Sequence, residues 1–88
     1  MKGMPESLSN FKVIDRQSFI EFMDLLHQDF RKNSENWQNR TLNDFLEAIG
    51  RYTNDIQGYY DNTNKNVNAD QPTWQVFADI FRGSTIYE

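Results

Sequence analysis

Acid–base and nucleophilic chemistry have few residues to draw on in this chain. His27 is the only imidazole and there is no cysteine. Thiol nucleophiles, disulfides, Cys-ligated zinc or iron–sulfur sites and multi-histidine metal centres are therefore excluded. An enzyme or a small-ligand receptor could be built on Asp55, Asp79, Tyr59 and His27, which the fold would have to bring together. His27 falls about 80° from Phe19 on a helical wheel, at the edge of an apolar stripe, where histidine is ordinarily structural or solvated. The run 61–71 (DNTNKNVNADQ) is rich in carboxylates and amides, but as a calcium loop it fails. It places Lys65 at the fifth position, Asn66 where glycine is needed and Pro72 where a bidentate glutamate belongs. No serine sits in a nucleophile elbow, and four scattered glycines make no phosphate-cradling loop. Asn39-Arg40-Thr41 has the spacing of a glycosylation sequon, which is a chance match where no secretory leader is seen. No catalytic, cofactor-binding or metal-ligating residue is assigned, and no cofactor is expected.

Binding is the better-supplied alternative. Nine Lys and Arg against thirteen Asp and Glu give a formal net charge of −4, which argues against nucleic acid or an anionic membrane as partner. The imbalance is local: residues 1–40 hold six basic and six acidic side chains, residues 41–88 three and seven. Asp44, Glu47 and Asp55 form an outer face that is either simply solvated or steers a basic protein partner. Seven Phe, four Tyr and two Trp are a large aromatic share for 88 residues. Trp37, Trp74, Tyr59, Tyr60 and Tyr87 either seal a thin core or form exposed anchors of the kind enriched at interfaces.

Three amphipathic helices must position these residues. Residues 1–10 read as a flexible tail, and 11–88 as a single helical domain opened by an extended segment at Phe11, Val13 and Ile14. The first helix starts at Asp15 or Ser18, with Ser18 and Glu21 at capping-box spacing. It buries Phe19, Phe22, Met23, Leu26 and Phe30. Thr41 opens the second, whose apolar face runs through Leu42, Phe45, Leu46, Ile49, Tyr52, Thr53, Ile56 and Tyr59/Tyr60. Gly50 and Gly58 lie inside it, and two glycines in a helix imply close approach of another backbone or an end near Gly58. Pro72 suits the first position of a third helix that Gly83 would stop. Trp74, Phe77, Ala78 and Phe81 form its main face, with Phe45 and Phe77 expected in the core. Val76 and Ile80 project to another face, an arc wide enough for a helix touched on two sides and a spare apolar contact. The fold class is thus all-α: a small three-helix bundle, with room for a fourth short turn.

Five segments carry a resemblance: Trp37-Gln38-Asn39, Thr41-Leu42-Asn43-Asp44-Phe45-Leu46-Glu47-Ala48, Gly58-Tyr59-Tyr60-Asp61-Asn62, Trp74-Gln75-Val76-Phe77-Ala78-Asp79-Ile80 and Ile86-Tyr87-Glu88. Together they resemble a family of small bacterial proteins known as a domain of unknown function, DUF7660, from about residue 15 to the C-terminus. The resemblance implies a compact bacterial helical domain and supplies no reaction. Members carry a bulkier residue where Gly83 stands, so the last helix is expected to end earlier here. Asn39, Asn62, Asp79 and Asp55 fall within or between these segments, as helix caps and ties or, if they converge, as a polar cluster. The reading that emerges is a cytoplasmic, non-enzymatic protein-binding module of the toxin-neutralising immunity type, with Asp44, Glu47, Asp55, Val76 and Ile80 as contact residues. A homodimer built on the third helix and a small-ligand-binding domain are the alternatives.

Overall fold

The computed structural model describes residues 6–88, which form a one-turn helix α1 (Glu6–Ser9) and three long helices. These are α2 (Arg16–Asn33), α3 (Leu42–Asn62) and α4 (Trp74–Ser84), with a 3-10 turn at Ser34–Asn36 behind α2. Each long helix is started by a side-chain oxygen that satisfies a first-turn N–H. Asp15 accepts from the Ser18 N–H at 2.8 Å, and Ser18 Oγ accepts from the Asp15 N–H at 3.1 Å, closing a reciprocal capping box. Thr41 Oγ1 accepts from the Asp44 N–H at 3.0 Å, and Thr73 Oγ1 from the Val76 N–H at 3.1 Å. The Thr73 cap places Pro72 ahead of α4 rather than in its first turn.

The stops differ from the expectation. α3 passes through Gly50 and Gly58, and a Cβ at either would meet nothing within 4 Å among the described residues. What ends α3 is Asn64, at φ 58, a left-handed conformation that asparagine tolerates. There the Lys65 N–H reaches the Tyr60 carbonyl at 2.9 Å and the Asn64 N–H reaches that of Asp61 at 3.3 Å, closing a Schellman-type end. Gly83 does not stop α4 either; it lies inside the helix, with the Tyr52 ring where its Cβ would be.

The core explains the arrangement. Leu8, Val13, Phe22, Leu26, Trp37 and Ala78 form one buried cluster, flanked by Phe11, Phe19, Met23, Leu25, Phe30, Phe45 and Phe81. Ala48, Ile56, Tyr60 and Val76 are buried along α3 and α4. α4 packs against both α2 and α3, so its wide apolar arc is largely used. Three placements are corrected as a result. Val76 is only 3% exposed and Ile80 is half-buried, so they offer no spare face. Phe77, expected in the core, is 39% exposed. Residues 6–10 are no tail, because α1 inserts Leu8, 2% exposed, into the core; the rest of the expected tail, 1–5, lies outside the described residues. Val13 is buried as its segment's anchor, while Ile14 faces solvent.

Candidate functional site

Polar side chains come together first around Asp79. Its Oδ2 accepts from the Tyr60 hydroxyl at 2.6 Å, and its Oδ1 from Gln75 Nε2 at 2.8 Å and from Arg82 at 2.7 Å. Arg82 also donates to the carbonyls of Leu8 at 3.0 Å and Ser9 at 2.6 Å, and its guanidinium lies 5.3 Å from the Phe22 ring centroid. Gln75 Oε1 accepts from the Val13 N–H at 2.7 Å. Burial of the Tyr60 ring, then its hydrogen bond to the Asp79 carboxylate, raises its phenol well above the ordinary value. Every partner in this network is internal, so it is a tie between α1, α3 and α4.

The other polar candidates serve different ties. Asn39 is buried and donates through Nδ2 to the carbonyls of Ser84 at 2.9 Å and Tyr87 at 2.8 Å, holding the C-terminal segment. Asn62 is the last residue of α3 and is exposed. Asp55 accepts from the Tyr87 hydroxyl, which holds its carboxyl below the usual range. These residues do not form one polar cluster. Nor does any hydrogen bond among the described residues join His27 to Asp55, Asp79 or Tyr59; His27 and Tyr59 lie exposed on separate helices. Asp44, Glu47, Arg51 and Asp55 share the outer face of α3, with Arg51 bridging to Glu47 at 3.6 Å. Among the described residues no group of His, Asp or Glu side chains is placed to hold a metal, and no helix is long and apolar enough to cross a membrane.

The most extended feature is aromatic. Phe77, Trp74, Phe19, Phe81, Phe45, Trp37 and Phe30 form a row in which each ring centroid lies 5.0 to 6.3 Å from the next. It begins on α4, crosses to α2, returns through Phe81 and reaches α3 at Phe45. The Phe77–Trp74 end is open, both rings being 39% exposed and set edge-on at 82°. At the other end Trp37 is buried, its indole N–H donating to Asp29 at 2.8 Å. Asn33 donates to the second Asp29 oxygen at 3.0 Å, so the buried carboxylate is doubly satisfied. Asp29, Gln75 and Arg82 escape a sequence reading, because each sits at helical spacing among ordinary polar positions. The signal for Asp29 was its register, one helical turn behind Leu26 and on the side of Phe22.

The family model described as "Family of unknown function (DUF7660)" matches residues 15–88, and the chain belongs to that family. Neither the curated proteins nor the solved structures yield a match.

Proposed function

We propose that this DUF7660 member is a non-enzymatic protein-binding module that contacts its partner through Trp74 and Phe77. The observation that carries this reading is the open end of the aromatic row, where two large rings stand more than a third exposed on the helix that the rest of the fold is built around. Rings of this size are costly to leave in water, and clusters of them are the usual anchors of interfaces. The net charge of −4 selects a basic partner, and Asp44, Glu47 and Asp55 on the outer face of α3 would speed its approach. The specific form we favour is an immunity-type role in a bacterial cytoplasm, in which the module covers the working surface of a basic toxin. Size and charge support that form by analogy.

A tagged pull-down from the native host, comparing wild type with the Trp74→Ser/Phe77→Ser double variant, tests the reading. The expected result is one stoichiometric basic protein captured by wild type and lost from a variant that keeps its helical circular dichroism. Charge reversal at Asp44, Glu47 and Asp55 should slow that association at low salt. A wild-type protein that instead sediments as a dimer, and a double variant that is a monomer, would replace the heterologous partner with a second copy.

A further inference from the structure

A shallow hollow of about 210 Å³, largely open to solvent, lies at the closed end of the aromatic row, where α3 begins. Its walls are the rings of Phe30, Trp37 and Phe45 with the Leu42 side chain, and Arg40 and Thr41 stand at its rim. We propose that this hollow binds a small aryl or alkyl carboxylate, the apolar body among the rings and the carboxylate on Arg40. The assignment is independent of the protein-binding surface at Trp74 and Phe77.

Four observations support it. The volume lies below the roughly 300–1,000 Å³ of sites that take drug-sized ligands, which suits an occupant of one ring or a short branched chain. The aromatic part of the lining is fixed beforehand, because the Trp37 indole is held by Asp29 and its ring packs 5.0 Å from Phe30 and 5.7 Å from Phe45. The neutral polar groups at the rim are engaged: Asn39 Nδ2 donates to two C-terminal carbonyls, and Thr41 Oγ1 accepts from the Asp44 N–H. Arg40 by contrast is exposed, and among the described residues it enters no ion pair and no carboxylate lines the hollow. The buried carboxylate of Asp29, which holds Trp37, has each oxygen engaged by a donor. A guanidinium with open donors beside an aromatic surface has the chemistry to orient a carboxylate.

Trp37 reports on its own site once the second indole is removed, so the test uses the full chain carrying Trp74→Phe. Its fluorescence is titrated with phenylacetate, phenylacetamide and acetate, first in that background and then with Arg40→Gln added. Phenylacetate should give a saturable change, bind about fivefold more tightly than the amide, and lose that advantage in Arg40→Gln. Acetate should give no saturable change, since it lacks the body that fills the hollow. Equal binding of acid and amide, an Arg40→Gln variant that binds phenylacetate unchanged, or no saturable response to phenylacetate in a variant with native circular dichroism overturns the proposal.

Discussion

Burial of the Tyr52 ring, against the Gly83 backbone and 4.8 Å from Tyr87, makes its hydroxyl an unusual phenol. Burial first, then the neighbouring Tyr59 and Asp79, pushes its pKa up from 10.0 to about 12. The neutral form is thus favoured in the fold. Above pH 10 the unfolded chain releases a proton that the native state retains, so stability is full below that pH and falls as pH rises toward 12. Tyr60 moves in the same direction, but its hydroxyl also donates to Asp79, so removing it would disturb the network as well as the titration. Tyr52→Phe is the cleaner probe. Its urea midpoint should drop less than that of wild type between about pH 9 and about pH 11.5. Equal drops in the two proteins would show that the alkaline loss has another source. None of this was legible in the sequence, where Tyr52 is one apolar position of a helix, because the burial that shifts it comes from α4.

Helix identities were legible for a physical reason: three long apolar stripes at 3.6-residue spacing can be buried only against one another. Their ends were less so. Asp15, Thr41 and the Schellman end at Asn64 all obey local capping chemistry, yet Pro72 and Gly83 obey it too and were misplaced. Thr73 outcompetes Pro72 because its hydroxyl satisfies a first-turn donor, and Gly83 is set by packing against Tyr52, which no local pattern shows. The three helical glycines therefore separate by cause. At Gly50 and Gly58 alanine meets open space within α3, so each substitution should stabilise by about 0.5–1 kcal/mol through helix propensity and the unfolded state. At Gly83 an added Cβ would lie 2.2 Å from Tyr52 Cε2, so the ring must move, and Gly83→Ala should destabilise by about 1–3 kcal/mol despite the same propensity gain. Urea denaturation of the three variants decides this. A stabilised Gly83→Ala would mean that the Tyr52 ring swings aside without loss.

At the scale of the molecule, α4 is the member through which the other elements are joined. The row of rings that ends in Trp74 and Phe77 was visible in the sequence only as a list of aromatics. The wide apolar arc of α4 implied contact on two sides, which α2 and α3 supply, but helical register separated Phe77 from Val76 without saying which of the two the neighbours would cover. The same position makes Arg82 a connector: it joins the Leu8 and Ser9 carbonyls to Asp79, which Tyr60 of α3 also reaches, while Gln75 links Asp79 to the Val13 N–H. A domain of this length has about 4–13 kcal/mol of stability in all. Arg82→Met keeps an apolar stem over Phe22 and removes the charged donors, at a cost of about 2 kcal/mol given the partial exposure of the Asp79 pair. If α4 couples the elements, that cost appears as one shifted transition, with tryptophan fluorescence and far-ultraviolet circular dichroism coincident in urea. Leu8 and Val13 belong to the same buried cluster as Phe22, Leu26 and Trp37, so the N-terminal segment has no separate core to leave behind. A variant in which fluorescence changes before helicity would show the clamp to be local, with the three long helices holding together without it.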